Sequence, residues 1–320
     1  MIDKLGLLQR FKAVAEHGSM RRAADALNLS QPALSRSIRL LEDDFRSALF
    51  TRGARGLVLT SFGESVLSVA SRLARDWEIS RAALLGSGAE YHGIMRISAG
   101  PLWAAVVLPV VVPRLLARFP KLALEVEQLS SQEIVDSLNS GRIDVCLGVR
   151  PTTGLQTAEF ETAILTEIQD RVLARPDHPI HACEPHDLGA VHRFPWVIYS
   201  AIPSYQAETE YVLRELTGRR PEIRTTTRSL VFLLRLLQEG DFLCFLPDAF
   251  LRARSHDPLR AIPMDIGRAV TKSGATYRRS HIDFEPIKVL LDLCREFFAV
   301  TPPDQPAKDP ADTEAAALSR

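Results

Sequence analysis

The side chains best suited to chemistry lie in a polar run near the N-terminus, where serine, glutamine and arginine recur at helical spacing. Glutamine can form two hydrogen bonds with adenine and arginine can do so with guanine, while serine hydroxyls and free helix N–H groups suit phosphates. Such a face predicts contact with the major groove of DNA; the alternative is a three-helix unit with a solvated polar face, and spacing alone favours neither. The candidate contact residues are Ser30, Gln31, Pro32, Ala33, Ser35, Arg36 and Arg39, with Arg21 and Arg22 just before them.

Three helices and a tight turn must position this polar face. Apolar periodicity predicts helices over 2–17, over Met20–Leu27 and from Ser30 to about Phe45. Ser30 is a good N-cap for the third helix, and the pair at 28–29 makes the turn before it. The side chains expected to face inward are Leu5, Leu8, Phe11, Val14, Ala15, Leu34, Ile38, Leu41 and Phe45.

A second basic feature follows at 49–60, where two short β-prone runs flank a glycine-containing turn. This pattern predicts a hairpin whose Arg52 and Arg55 follow the DNA backbone or enter the minor groove. The chain has no net charge, but residues 1–60 hold ten basic and six acidic residues, a local charge of +4, which leaves −4 on the rest. A basic end on an acidic chain favours an anionic partner for that end alone.

A long helix beginning at Thr60 or Ser61 carries an apolar stripe at four- and three-residue spacing. The stripe could pack on its own domain, but the helix connects two regions, so we expect it to pack against a partner helix in a dimer. A glycine–serine linker at 86–88 ends it. The stripe comprises Phe62, Val66, Val69, Leu73 and Trp77.

From Gly93 onward, strands alternate with helices in the pattern of an α/β domain with open sheets. The tail after Thr301 is rich in proline, alanine and aspartate and is expected to be disordered. Strands are predicted at Ile94–Ala99, Leu122–Gln128, Ile143–Val149, Arg171–Ala174, Trp196–Tyr199, Ile223–Thr226 and Phe242–Leu246, and helices near 103–118, 131–140, 204–217, 229–239 and 286–299.

These motifs resemble the LysR-type transcriptional regulators over residues 2 to about 300. Two departures are visible: Arg46 replaces the glycine that often ends the recognition helix, and Met20 stands where an aromatic residue is frequent. The arginine at position 46 could change how that helix ends, and the methionine at position 20 indicates a change in packing. The resemblance rests on Ala23-Ala24, Ser30-Gln31-Pro32-Ala33-Leu34-Ser35-Arg36, Leu40-Leu41-Glu42, Leu49-Phe50-Thr51-Arg52 and Leu59-Thr60.

The resemblance implies a winged helix-turn-helix over 1–60, a dimerising linker helix and hinge over 61–90, and an effector-binding domain over 91–300. That domain would have two Rossmann-like α/β lobes, as in periplasmic binding proteins, with lobe one at 92–166 and 268–300 and lobe two at 167–267. It also implies a homodimer or homotetramer that binds operator DNA, responds to a small effector and contacts RNA polymerase to control a catabolic or metabolic operon. No cofactor is implied.

The effector is expected between the lobes, beside strand ends and helix starts. Trp103 could stack on a ligand ring or simply be packed, and Arg150 could pair with a ligand carboxylate or be a surface arginine. Helix N-termini near Ser131 and Ser229 offer N–H groups to an anion, so the effector is expected to be an organic or aromatic carboxylate. The candidate residues are Pro101, Leu102, Trp103, Ser130, Ser131, Arg150, Ser200, Ile202, Ser229 and Phe245.

Other functions fit the sequence less well. His178, His181, Cys183 and His186 lie within nine positions, but structural metal sites usually draw on two separated pairs of ligands, so we expect a turn and no bound metal. A solute-binding or transport protein would suit the C-terminal region, although the N-terminus lacks a secretory profile and no stretch suits a membrane span. An enzyme is disfavoured because no phosphate loop, nucleophile elbow or HExxH motif occurs. We therefore expect a cytoplasmic DNA-binding protein without contact to membranes.

Overall fold

The computed structural model describes residues 3–53, 56–84, 91–151, 154–155, 158–199, 203–252, 258–264, 266 and 270–299. The chain divides into two compact units. The first comprises Met1–Gly100, Arg114–Ala163 and Gly274–Val289, and the second comprises Pro101–Pro113, Ile164–Ser273 and Leu290–Arg320. No described helix combines the length and the apolar character that a membrane span requires.

The first unit begins with the helices α1 (Lys4–His17), α2 (Met20–Ala26) and α3 (Gln31–Phe45), followed by a hairpin of β1 (Phe50–Gly53) and β2 (Gly56–Leu59). Their apolar faces form one core that also includes the start of α4 (Ser61–Leu84). The predicted elements are therefore confirmed, with boundaries shifted by one or two residues.

Two inward assignments in these helices were wrong. Leu5 and Phe45 are exposed, by 41% and 39%, whereas Leu7 is buried. Phe45 is the last residue of α3, where the ring reaches past the core and meets the ring of Phe62 edge-on at 5.6 Å. The end of a helix is where periodicity constrains a side chain least, because no further turn covers it.

A five-stranded sheet, in the order β4-β3-β5-β12-β6, follows in this unit. The central strand β3 runs parallel to both neighbours, while β12 is antiparallel to β5. We predicted β3–β5 and missed β6 and β12, which carry many polar residues. The elements in this part of the chain are β3 (Ile94–Ala99), a π-helical turn (Trp103–Val107) leading into α5 (Leu108–Arg118), β4 (Ala123–Glu127), α6 (Ser131–Ser140), β5 (Val145–Gly148), β6 (Phe160–Ile168), β12 (Thr271–Arg278) and α9 (Glu285–Ala299). The π-helical turn, the first half of α5 and α9 from Leu290 onward belong to the second unit.

The second unit contains an antiparallel sheet in the order β10-β7-β11 and a parallel pair, β8 with β9. A bridge between Trp196 and Leu243 links the two groups of strands, and both side chains lie in the core. Its elements are β7 (Asp170–Ala174), 3-10 turns at Pro179–Ala182 and Leu188–Arg193, β8 (Trp196–Tyr199), α7 (Pro203–Thr217), β9 (Ile223–Thr227), α8 (Leu230–Glu239), β10 (Cys244–Pro247), a 3-10 turn at Asp248–Arg252 and β11 (Arg260–Ala261).

Candidate nucleic-acid interface and effector-binding residues

The turn before α3 is built from local hydrogen bonds. Asn28 adopts a left-handed conformation with φ of 52°, which asparagine tolerates better than most residues, and Leu29 N–H then reaches the carbonyl of Ala24 at 2.9 Å. Ser30 caps α3 by accepting a hydrogen bond from the N–H of Ala33 at 3.3 Å. These contacts fix where α3 begins and which of its faces points outward.

The candidate DNA-contacting residues share the outward face of α2 and α3. Leu34, Ile38 and Leu41 are buried on the other side of α3, so the two faces are separated as periodicity predicted. Arg36 and Arg39 have no hydrogen bond or ion pair to any other described residue, which leaves both guanidinium groups available. Exposed candidates are Arg21, Arg22, Ser30, Gln31, Pro32, Ala33, Arg36 and Arg39, and Ser35 is half-buried.

A buried serine braces α3 from behind, and sequence reasoning overlooked it. Ser37 is 4% exposed, and its hydroxyl accepts a hydrogen bond from Arg10 Nη1 on α1 at 2.9 Å while donating to the carbonyl of Ala33 at 3.1 Å. The sequence does contain a signal for this contact, since Ser37 lies between the apolar inward positions Leu34 and Leu41. A buried hydroxyl there requires a hydrogen-bond partner from a neighbouring helix. Arg10 therefore holds the recognition helix without facing outward itself.

The hairpin is joined to α4 by the side chain of one threonine. Thr60 Oγ1 donates to the carbonyl of Ala48 at 2.8 Å and accepts from the N–H of Gly63 at 2.9 Å. A Cβ at Gly63 would lie 2.1 Å from the carbonyl oxygen of Leu49, so only glycine permits this close approach. Arg55 and the side chain of Arg52 lie outside the described residues, and their role remains a prediction.

Helix α4 exposes most of its predicted apolar stripe. Trp77 is 55% exposed and Val69 and Leu73 are also exposed, whereas Val66 is buried in the core of α1–α3. Including Val66 in the outward stripe was therefore wrong. At about 100° per residue Val66 lies within the arc of the stripe, but this part of α4 packs on the core of α1–α3.

Three of the proposed effector residues lie in the protein interior. Trp103 is 1% exposed, donates from Nε1 to Ser273 Oγ at 2.9 Å and meets the ring of Phe298 edge-on. Phe245 packs against Trp196, and Leu102 is buried as well. For Trp103 the contacts are those of the packing alternative. A contact of Leu102 or Phe245 with an effector stays a prediction, and both side chains are packed among neighbouring residues.

The polar candidates are more accessible. Arg150, just beyond β5, is exposed and without a partner among the described residues, and Pro101 is half-buried. Ser130 is committed to a capping box, since its N–H donates to Glu133 Oε2 at 2.8 Å and its hydroxyl accepts from Glu133 N–H. Ser131 and Ser229 are exposed, and Ser229 Oγ caps α8 without an acidic residue in the first turn. Ser200 and Ile202 lie outside the described residues.

The histidine-rich segment forms a capped turn. His178 is buried, its Nδ1 accepts from Ile180 N–H at 3.0 Å, and its ring lies 4.6 Å from that of Phe194. His181 Nε2 lies 3.1 Å from the carbonyl oxygen of Arg175, and His186 is exposed. Burial lowers the pKa of His178 and His181, which outweighs the opposing influence of nearby acceptors. Among the described residues, no three His, Cys, Asp or Glu side chains are grouped as metal ligands.

Two family models match the chain: the bacterial regulatory helix-turn-helix of the lysR family over residues 5–64, and the LysR substrate binding domain over 88–299. The chain belongs to the LysR family of transcriptional regulators. The first of these families is a regulatory helix-turn-helix and the second is a substrate binding domain, so this LysR-type protein is a transcription regulator with an effector-binding domain. Its relatives are transcription regulators too, which decides against the enzyme and solute-transport alternatives.

Two relatives of this LysR-type regulator match it over more than three quarters of its length. A probable nitrogen assimilation transcriptional activator from Synechococcus elongatus is 28% identical over 92% of this chain and 94% of its own. An SDS degradation transcriptional activation protein from a Pseudomonas species is 30% identical over 77% of this chain and 79% of its own.

Solved structures confirm the fold. A full-length OxyR variant from Pseudomonas aeruginosa superposes with a TM-score of 0.69 at 20% identity, covering 95% of this chain and 98% of the other. Full-length CbnR in complex with its target DNA gives a TM-score of 0.57 at 20% identity, covering 91% and 99%.

Proposed function

We propose that this LysR-type regulator acts as a homodimer that inserts one copy of α3 into each of two successive major grooves of its operator. The observation that carries the proposal is the outward face of α3, where Arg36 and Arg39 have no partner among the described residues and lie opposite the buried Leu34, Ile38 and Leu41. In helix-turn-helix proteins the second helix reads bases while the first crosses the backbone. Gln31, Ser35 and Arg36 are accordingly proposed as base readers.

Phosphate contacts are proposed for the remaining polar groups around α3. Arg21 and Arg22 lie on α2 and are exposed, which suits the helix that crosses the DNA backbone. The N-terminus of α3 offers N–H groups to a phosphate, and its first turn holds no acidic side chain that would compete. Arg52 and Arg55 of the hairpin are proposed as minor-groove or backbone contacts.

The proposed dimer forms through α4. At about 100° per residue, the exposed side chains of Phe62, Val69, Leu73, Trp77 and Leu84 fall within an arc of roughly 80°. A stripe of this kind matches the surface that a partner helix covers, and soluble proteins rarely leave a continuous apolar patch in water. Pairing of two such dimers into a tetramer is part of the same proposal.

The dimer is tested by placing a charge in the stripe. Leu73→Asp should convert the dimer to monomers in sedimentation velocity, because an aspartate between two apolar faces would be desolvated without a partner. Ser71→Asp, on the opposite side of α4, is the matched control and should sediment like the unaltered protein. A Leu73→Asp protein of unchanged mass would exclude this stripe as the interface.

The effector is proposed to be a small organic anion, such as an aliphatic or aromatic carboxylate. Support comes from Arg150 after β5, which is exposed and has no partner among the described residues, at the edge where the parallel strands β3, β4 and β5 all end. Ligands of open α/β sheets bind at that edge. Ser131 is a weaker contributor, because Glu133 already holds a carboxylate at the N-terminus of α6.

Isothermal titration tests the effector class. Carboxylates would be titrated beside their neutral amides, and we expect heat from members of the acid series alone. Arg150→Gln should weaken that binding at least tenfold, while Arg118→Gln, at an exposed arginine paired with Glu285, should leave it unchanged. Binding confined to neutral or cationic compounds would exclude an anionic effector.

Control of transcription is the proposed output, in the cytoplasm where operator DNA and RNA polymerase meet. Effector binding can shift the assembly only if two of its states bind the effector with different affinity. Transcription with purified RNA polymerase from the upstream region of the gene itself tests this directly. An effector-independent transcript level, with specific DNA binding intact, would exclude control of an adjacent metabolic operon.

A further inference from the structure

Helix α4 carries one buried arginine, and it is bonded to the sheet of the effector-binding domain. Arg75 is 4% exposed, and its Nε and Nη2 donate to the two oxygens of Asp144 at 2.7 and 2.6 Å. Nη2 also donates to the carbonyl of Ile94 at 2.7 Å. Burial alone would lower the pKa of Arg75, but bonding to Asp144 more than compensates and raises it, so the guanidinium stays charged. A two-pronged, charged contact of this kind is both strong and directional.

Arg75 touches the starting ends of two strands at once. Ile94 is the first residue of β3, and Asp144 directly precedes β5. Asp144 also joins these strands to each other, since its carboxylate accepts from Arg96 N–H at 2.8 Å and its own N–H donates to the carbonyl of Arg96 at 2.8 Å. A movement of either strand along its axis must therefore move the guanidinium or break its bonds.

The two halves of α4 are held by nearly opposite faces. Gly63, Val66 and Ala70 are buried in the N-terminal half, and Arg75 and Ile79 in the C-terminal half. At about 100° per residue, the centres of these two buried faces lie roughly 170° apart. One end of the helix is therefore embedded in the helix-turn-helix core, and the other rests on the effector-binding sheet.

A second group of charged side chains lies beside Arg75 and Asp144. Asp76 accepts from His281 Nε2 at 2.9 Å, and Arg278 pairs with Glu159 at 2.7 Å while its guanidinium lies over the ring of Phe160. These contacts bind α4 to the end of β12 and to the segment that follows it. They make the attachment of α4 broad, but Arg75 alone reaches β3 and the start of β5 together.

We infer that Arg75 and Asp144 are positioning residues that transmit a displacement of β3 and β5 to α4, and so set the separation of the two recognition helices on DNA. The inference rests on the proposed effector site, because the far ends of these strands lead to Pro101 and Arg150. The contact of α4 with both strands depends on one buried guanidinium and its hydrogen bonds. Its loss would leave α3 able to bind DNA, while the position of α3 relative to the partner's α3 becomes less defined.

Asp144→Asn tests this link, because it keeps the shape of the side chain and removes the charge. Two labelled duplexes from the upstream region of the gene are used, one with both half-sites and one with a single half-site. Coupling between sites is usually worth about 5- to 150-fold in affinity. We expect affinity for the full duplex to fall within that range and its dependence on half-site spacing to flatten, while single half-site affinity changes less than twofold.

Glu125→Gln is the matched control, since it removes an exposed ion pair with Arg96 on the same sheet and should change neither affinity. Tyr91→Phe is a milder second variant, because the hydroxyl lies 3.4 Å from Arg75 Nη1 while the ring keeps its contact with Phe284. Tyr91→Phe should lower the affinity for the full duplex by about two- to threefold. This variant keeps the inference testable if Asp144→Asn fails to fold.

The outcomes are distinguishable. Unchanged full-duplex affinity and spacing dependence in folded Asp144→Asn and in Tyr91→Phe would overturn the inference. Equal losses on both duplexes in Tyr91→Phe would also overturn it, since they would mean a general structural role. Failure of the unaltered protein to prefer its own upstream DNA would instead refute the proposed operator recognition.

Discussion

Replacing Arg36 by alanine should remove operator specificity and leave the fold and the assembly intact. Arg36 lies one turn into α3, is exposed and has no partner among the described residues, so the free energy of unfolding should change by less than about 0.5 kcal/mol. A bidentate arginine–guanine contact is worth about 1–3 kcal/mol. A dimer contains two copies, so the loss is about 2–6 kcal/mol, or roughly thirtyfold and more in affinity.

Fluorescence anisotropy measures the effect on two labelled duplexes of equal length, one from the upstream region of the gene and one of unrelated sequence. Titrations at several salt concentrations separate base contacts from phosphate contacts, because each phosphate contact contributes about one unit to the salt slope. For Arg36→Ala we expect the preference for upstream DNA to collapse toward the non-specific level. Arg22→Ala on α2 provides the contrast, with similar losses on both duplexes and a shallower salt slope.

Two results would refute the reasoning about Arg36. If Arg36→Ala binds the upstream duplex as tightly as the unaltered protein, or weakens both duplexes equally, this side chain does not read a base. If the variant sediments as a smaller species or unfolds at lower denaturant, α3 depends on Arg36 structurally, contrary to its exposed and unpaired position.

Three further predictions concern stability, measured by chemical denaturation. Arg46 follows the last residue of α3 in a left-handed conformation with φ of 50°, which costs about 1 kcal/mol or more for a residue with a Cβ. Arg46→Gly should therefore stabilise the protein by about 0.5–1 kcal/mol. Equal or lower stability would contradict this prediction. Gly63→Ala should destabilise the protein by about 1–2 kcal/mol, because the new Cβ would meet the backbone oxygen of Leu49. A neutral or stabilising result would show that α4 can shift to make room for the methyl group. Burial tends to raise the pKa of Asp76, but the hydrogen bond and charge of His281 outweigh it and hold that pKa below its usual range. Asp76→Asn should therefore cost about 1–2 kcal/mol at pH 7. The difference from the unaltered protein should shrink as pH falls through the usual range of a carboxyl, and it should vanish only below the lowered pKa of Asp76, where the carboxylate is protonated in the folded state as well. A difference that does not shrink as pH is lowered from 7 toward acid would contradict the assignment.

Local pattern predicted the helix-turn-helix well because its information is local. A 3.6-residue period separates the buried Leu34, Ile38 and Leu41 from the exposed Gln31 and Arg36, and no distant residue is needed to know which face is which. The same period failed at Phe45, because beyond the last turn of a helix no neighbour fixes the direction of the side chain.

Strands β6 and β12 escaped prediction for a different reason. Both faces of β12 are buried, and its buried residues include the polar Ser273, Thr276 and Arg278, so a search for alternating or continuous apolar residues does not find this strand. These side chains are tolerated inside only because distant groups satisfy them, as Trp103 does for Ser273 and Glu159 for Arg278. The same long-range hydrogen bond buries Trp103, which favours the packing alternative for this side chain.

What the sequence by itself determined is the family, the order of most elements and the residues on the outward face of α3, because capping, periodicity and charge act over a few neighbouring positions. What only the tertiary structure decided is how α4 is attached at its two ends. Arg75 and Asp144 are 69 positions apart, and neither spacing nor composition relates them. Their pairing depends on the packing of α4 against the sheet, which exists only once the whole unit has folded.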